Sequence, residues 1–245
     1  MDQSPLTLVP GSLLRRSPLY RHHAEAGASF RQVDDCAVPY RFRSHQEDTD
    51  MARQLGLVDL CGLTKVGYKG PGASLWLGQA GLLLPAEPNL AVLQADGMLV
   101  ARLSLDEFLV LRNLESDSSL ICDMESAWSL DSAAQTYLLP RRDSHCWLAV
   151  VGAEVRQMLS KICAINLHLD EFPNLKIAQT IIADLSVIII RHDLGLTPCF
   201  YLLADVALTE YLWEVLQDAM DEFAGATVGL AALLTLKTLL AESSK

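Results

Sequence analysis

The sequence predicts an α+β fold assembled from two β-α-β-β halves. Strand-like and helix-like segments recur in the same order twice along the 245 residues, with Gly70 falling on Gly152 and Leu77 on Leu159 at a common offset of 82. The apolar content, 51 %, is ample for a buried core. Any two strand-helix units share some likeness, but a duplicated core explains the repetition better, because each half alone buries too little apolar surface to be stable.

Residues 1–18 carry Pro5, Pro10, Gly11 and Pro18 with no sustained period, which predicts an extended N-terminal arm. HQEDTDMARQLG then offers the first helix, with its acidic residues early and its arginine late, as a helix dipole favours. LVDLCGLTKVGYKG alternates apolar and polar residues like one half-buried strand. Pro71 and Gly72 turn the chain into a short helix, ASLWLGQAG. After a loop containing Pro85, Pro88 and Asn89, MLVARLS and EFLVLRN read as two strands joined by a tight turn at Leu105-Asp106. Residues 19–140 make up this first half.

The second half, residues 141–225, opens with the strand HCWLAVVG and the helix AEVRQMLSKIC. TIIADLSVIIIRHD is a pair of strands or one long one, and CFYLLAD is another. A helix over about 207–223 follows, with Asp205 as its cap and an apolar stripe of Leu208, Leu212, Val215, Leu216, Ala219 and Phe223. Residues 226–245 form a C-terminal apolar helix or tail. Its most apolar stretch, 224–240, contains Gly225, Gly229 and Lys237 and falls short of the ~20 residues of a membrane span, so it reads as a core or partner-facing helix.

Charge narrows the function classes. A net charge of −11 repels phosphate backbones and anionic lipid headgroups, which argues against nucleic acid and membrane partners. The N-terminus places its arginines after a broken apolar stretch, unlike a signal peptide. The six cysteines are far apart, with no C-x-x-C, and read as reduced, mostly buried thiols of a soluble cytoplasmic protein rather than as a metal site. Gly70-Pro71-Gly72 lacks the Gly-Lys-Ser/Thr ending and the Gly-x-Gly-x-x-Gly spacing of phosphate loops, so nucleotide or flavin binding has no sequence support.

GLVDLCGLTKVGYKGPGASLWL resembles the N-terminal signature of the glycine-cleavage T-protein (aminomethyltransferase) superfamily, a Gly-Leu-x-Asp strand leading into a Gly-Pro-x-Ala turn and helix. PNLAVLQADGMLVARLSLDEFLVL is similar to its continuation. Within that superfamily the chain most resembles the sarcosine oxidase gamma subunit family, through RRSPL at 15–19, Lys161-x-Cys163 with Asn166-Leu167-His168, TIIADLSVIIIRHD, Phe200-Tyr201 and Tyr211-Leu212-Trp213. The likeness runs over roughly 15–225. It implies a T-protein-like folate-binding fold that lacks the C-terminal barrel domain, since the chain ends soon after the second half.

It also implies two functions. One is a non-catalytic accessory subunit packed on the large subunit of an amine-oxidising, sarcosine-oxidase-like complex of one-carbon metabolism, with no tightly bound cofactor of its own. The other is a free-standing folate-binding protein that holds or transfers a one-carbon unit on tetrahydrofolate. Folate-using T proteins carry a Gly-Gly-x-x-Asp-Asp run whose acidic residue sits near the accepting folate nitrogen. An ungapped match anchored on Arg102 keeps only its first aspartate, as Asp96, while a different gap placement loses both. Asp96 is therefore the folate-contact candidate, and no residue is assigned to catalysis or to metal. A homo-oligomer docked through residues 224–240 is the remaining alternative.

The other candidate clusters have plainer readings. Cys163 and His168 suggest a thiolate and its base, but Lys161-Ile162-Cys163 ends a helix, whereas thiolates are activated at helix N-termini or beside cations. His145 and Cys146 are adjacent and would point to opposite faces of a strand, which excludes joint metal binding. Asp106-Glu107 and Asp34-Asp35 read as solvated carboxylates. His22-His23 and Arg141-Arg142 are ordinary surface charge, or else the basic clusters best placed to meet an acidic partner subunit or a folate glutamyl tail.

Overall fold

The strand Leu148–Val151 is buried along its whole length, with Leu148 and Val150 packed in one apolar cluster and Ala149 and Val151 in another. That division repeats throughout the computed structural model, which describes residues 8–115, 119–131 and 134–243. In order, β1 (Arg15–Arg16), α1 (Tyr20–Glu25), β2 (Ser29–Val33), β3 (Cys36–Arg41) and α2 (His45–Leu55) lead to β4 (Gly56–Asp59). There follow β5 (Lys65–Lys69), α3 (Ala73–Gln79), β6 (Leu90–Leu93), β7 (Leu99–Arg102), β8 (Glu107–Leu111), α4 (Leu120–Ala127) and β9 (Tyr137–Leu139). The remainder is α5 (Arg141–Ser144), β10 (Leu148–Val151), α6 (Val155–Ser160), β11 (Ile177–Ile182), β12 (Leu185–Arg191), β13 (Cys199–Leu203), α7 (Thr209–Asp221), β14 (Ala226–Thr227) and α8 (Leu230–Ser243).

These elements form a mixed α+β architecture of two main sheets. One has the strand order β11-β12-β13-β10-β4-β14, the other β6-β7-β8-β5-β9, and a small third sheet is β1-β3-β2. Period-2 alternation decides the layers. Ala149, Tyr201 and Leu203 from the first sheet share a core with Ala101, Leu109 and Leu111 from the second, and α8 adds Leu230, Leu233 and Leu236. The outward face of the first sheet packs on α6 and α7, through residues such as Leu159, Leu212 and Trp213. The outward face of the second packs on α3 and α4, through Leu77, Ile121 and Met124. At roughly 25 cal/mol per Å² of apolar surface, burial on both faces of both sheets is the main stabilising term.

Two stretches differ from the sequence reading. LVDLCGLTKVGYKG is not one half-buried strand: it forms β4 and β5, in different sheets, joined by a turn in which Leu63 N–H donates to Leu60 O at 2.9 Å. Its alternating polar residues looked solvent-facing, yet Asp59, Thr64 and Lys65 are all buried. The stretch 90–93, read as loop, is β6, paired antiparallel with β7. Its outer side is half exposed at an edge, which masked the strand pattern.

Local signals match elsewhere. Ser44 and Glu47 close a capping box at the start of α2. Asp205 caps the turn before α7, accepting from Ala207 N–H at 2.9 Å. The stripe on α7 includes buried Trp213 and Met220, while Leu208 is exposed. Residues 1–7 of the expected arm and 244–245 of the expected tail lie outside the described residues. Further along the arm, Arg15 and Arg16 pair in parallel with Cys36 and Ala37. From the C-terminal segment, Leu230, Ala232, Leu233 and Leu236 pack into the shared core.

In each main sheet a strand, a helix and three strands take one arrangement: β5-α3-β6-β7-β8 lies as β6-β7-β8-β5, and β10-α6-β11-β12-β13 lies as β11-β12-β13-β10. Gly70 and Gly152 follow the first strand of each, both with φ of 124°. A side chain there would collide with Gln135 O and with Gln54 O, respectively. Gly81, at φ 85°, has open space around it. Gly81→Ala should cost about 1 kcal/mol, the backbone strain alone, and Gly152→Ala roughly 3 kcal/mol or more. Urea unfolding midpoints of the two variants would check the order.

Candidate functional site

Asp96, the folate-contact candidate, lies in the turn between β6 and β7. Gly97, at φ 85°, allows that turn, and Asp96 Oδ1 accepts from Met98 N–H at 3.0 Å. Asn113 donates to the backbone carbonyl of Asp96 and, through Oδ1, accepts from Lys237 Nζ at 3.0 Å. The Asp96 side chain is exposed and lines neither of the hollows that meet at His145.

The densest polar cluster is elsewhere, where the arm and the chain from β4 to β5 meet α5. Its anchor is Asp59, at the end of β4 and fully buried. Asp59 Oδ2 accepts from Ser17 Oγ and pairs with His23 Nε2 at 2.8 Å, while Oδ1 accepts from Cys61 N–H at 2.8 Å. Burial alone would raise its carboxyl, but the bonds from His23, Ser17 and Cys61 hold it below the ordinary value. Ser17 bonds the carboxylate rather than the imidazole, so the three are not arranged as a nucleophile and its base. Lys65 Nζ donates to Cys61 O at 3.0 Å, and burial pulls its ammonium below the ordinary value.

Outside this core runs a ladder of ion pairs. Asp34 accepts from Thr64 Oγ1 at 2.7 Å and from Arg112 at 2.5 Å. Asp35 stands 3.6 Å from both Arg15 and Arg142, and Arg15 also grips Asp143 at 2.5 Å. Arg142 donates to Thr64 Oγ1 at 3.0 Å. Arg141 and Lys69 both reach Glu107 at 2.8 Å. The expectation that Asp34-Asp35 and Asp106-Glu107 are simply solvated is therefore corrected: Asp34, Asp35 and Glu107 each hold basic partners, and Ser104 Oγ donates to Asp106 at 3.0 Å. Arg141 and Arg142 are engaged within the chain. His23 is buried on Asp59, and His22 faces Glu210 at 3.8 Å.

His145 stands between two hollows. One, of about 260 Å³, lies between the arm and α5, and the other, of about 410 Å³, lies against β11 and β12. Burial first, and the Arg141 cation second, push the imidazole down to about 4. His192, buried beside the Tyr201 hydroxyl at 2.9 Å, is likewise pushed to about 4, by burial and then by Lys237. The expected strand does not begin at His145: β10 starts at Leu148, His145 caps the end of α5 and bridges Asp205, and Cys146 is buried in the core behind the first sheet. Cys163 is buried, while His168 is exposed beside Asp170 at 3.4 Å, and no hydrogen bond joins them. Burial pushes the Cys36 thiol up to about 11 and raises Cys61, Cys146 and Cys199 as well, so all four are protonated at neutral pH. Among the described residues no group of three or more His, Cys, Asp and Glu side chains is placed to hold a metal ion, and no helix is long and apolar enough to cross a membrane.

The comparisons with known proteins agree with the resemblance seen in the sequence. Residues 125–222 match the sarcosine oxidase gamma subunit family. Sarcosine oxidase subunit gamma of Corynebacterium sp. (strain U-96) is 27% identical over 222 residues, covering 91% of this chain and 98% of that protein. An aminomethyltransferase of Halothermothrix orenii is 25% identical over 246 residues, covering 91% of this chain but 64% of the relative's length. A chain of the heterotetrameric sarcosine oxidase from Corynebacterium sp. U-96, in complex with pyrrole 2-carboxylate, superposes with a TM-score of 0.64 at 23% identity, over 88% of this chain and 100% of that one. The glycine cleavage system aminomethyltransferase T from Bartonella henselae gives 0.69 at 21%, over 91% of this chain and 62% of that one. These superpositions establish the shared fold.

The two depressed histidines set an acid sensitivity. In the unfolded chain they protonate near 6.5, and in the folded protein near 4. The unfolded state therefore binds more protons between those values, and stability falls as pH drops through that window. Asp59 acts lower: its contribution is present above about pH 4, its unfolded value, and is lost as pH falls through the depressed folded value. Urea midpoints should decline from about pH 6.5 to 4.5, and His192→Gln should make the decline shallower; an unchanged slope would contradict this assignment.

Proposed function

We propose that this chain, a homologue of the sarcosine oxidase gamma subunit, serves as a non-catalytic accessory subunit of a sarcosine-oxidase-like, amine-oxidising complex of one-carbon metabolism. The extent of the match carries the reading: it takes in 98% of the curated gamma subunit but 64% of the aminomethyltransferase. The chemistry of the chain supports it. Around Asp59 the reactive groups are engaged or quenched, with Asp59 held by three donors and four buried thiols kept protonated. On this reading the large subunit of the complex is the partner, the compartment is the cytoplasm, and the chain itself holds no cofactor tightly.

We also read the two strand-helix-strand units as a duplication, with halves at 19–140 and 141–225. Their common strand order and the matching conformations of Gly70 and Gly152 support that. Purification from the native host should bring down a larger flavin-containing chain, while the isolated protein neither binds flavin nor oxidises sarcosine. Sarcosine oxidation by the purified chain alone would overturn the proposal.

The exposure of Asp96 favours a second reading, a folate-binding protein, because its carboxylate is within reach of a ligand. Calorimetry with tetrahydrofolate separates the two. Submicromolar binding that Asp96→Ala weakens at least tenfold supports the second, and no heat at high ligand concentration sinks it.

A further inference from the structure

We propose that the hollow between the N-terminal arm and α5 is a binding site for a small oxyanion, a carboxylate or phosphate group held by Arg15 and Arg142. The site is independent of the accessory-subunit reading. Arg15, Arg16 and Arg142 line it, and Asp143 is the one carboxylate among the lining residues. With Asp35 behind them, three guanidiniums stand against two carboxylates at this wall, Glu125 being the next carboxylate near Arg142 and Arg15. Guanidiniums gathered in a concave wall attract anions.

The existing pairs leave capacity. Asp35 sits 3.6 Å from both Arg15 and Arg142, well beyond the ~2.7–2.9 Å of a charge-assisted hydrogen bond; Arg15 also holds Asp143 through two nitrogens, at 3.3 and 2.5 Å, so the open capacity is chiefly that of Arg142. Arg142 Nε is out of solvent and donates to nothing. A planar guanidinium satisfies two oxygens of one carboxylate or phosphate at once, so an anion seated between the two side chains would replace two long contacts with short ones. His145, on the same wall, is engaged with Ser144 and Arg141 through 3.0 and 3.1 Å contacts and adds no charge at neutral pH.

Size limits the ligand. About 260 Å³ corresponds to the liquid volume of roughly nine waters, enough for a small organic acid or a phosphate and too little for a dinucleotide. The floor, Cys36, Cys61 and Gly62, adds no nucleophile, since both thiols stay protonated. The inferred role is thus binding without chemistry on the ligand.

The test uses the full chain at fixed ionic strength, titrated by calorimetry and thermal shift with glycolate and, separately, inorganic phosphate, with chloride as control. Saturable binding of either, weakened at least tenfold in Arg142→Met and in Arg15→Met and only partly in Arg142→Lys, supports the site. The stronger arm then identifies the group as carboxylate or phosphate. A readout on the unmodified protein covers the case of variants that fail to fold. Arg142 Nη2 lies 3.6 Å from the exposed Cys122 thiol, so an anion that draws Arg142 inward should change the rate of Cys122 alkylation severalfold. Binding no stronger than chloride, or binding that leaves Cys122 reactivity unchanged and survives both methionine variants, overturns the proposal.

Discussion

The burial of one carboxylate organises the centre of this protein. Asp59 ends a strand that is inaccessible on both faces, and a bare carboxylate there would cost several kcal/mol. Ser17, His23 and the Cys61 amide offset that cost from three directions. Each donor commits a different piece of chain: the arm through Ser17, α1 through His23, and the turn into β5 through Cys61. The two sheets are therefore joined at a point where charge, rather than apolar contact, dictates geometry.

Around that point the ion pairs form a graded series. Inside, Lys65 bonds backbone carbonyls and Asp59 is saturated. At the periphery, Lys69, Glu107 and Arg141 make a conventional half-exposed triad worth little individually. Between them, Arg15 and Arg142 share Asp35 at long range, and there the arrangement is loosest. The buried polar junction ties the arm to the body, through Ser17 on Asp59 and Arg15 on Asp143.

Much of the architecture was legible because it rests on period. β10 and β13 stand out as continuous apolar runs, and α7 declares its stripe, its acidic face and its cap. The offset between Gly70 and Gly152 was visible because a backbone conformation unavailable to other residues leaves a glycine in the sequence. What could not be read was the fate of polar residues inside strands. Asp59 and Lys65 alternate with apolar neighbours just as solvent-facing residues do, and only the arrival of Ser17, His23 and backbone carbonyls from elsewhere shows that they point inward. The same blindness made Asp34-Asp35 and Arg141-Arg142 look like surface charge, since their partners lie far along the chain, 34 residues away for Arg141 with Glu107 and 78 for Asp34 with Arg112. Asp96 was found by likeness alone, and its place in an exposed turn follows from Gly97 rather than from any feature of the aspartate.

The position of β4 has a consequence for how the chain reaches this state. Its neighbours in the sheet are β10, more than ninety residues later, and β14, about 170 residues later. During synthesis the strand emerges with its arm and its charge partners, but with both hydrogen-bonding edges open until most of the remaining chain has been made. Non-local pairing of this kind folds slowly and leaves a sticky edge in the interval. The early ionic knot at Asp59 is available at once, so it can hold β4 against the arm while the sheet is still incomplete.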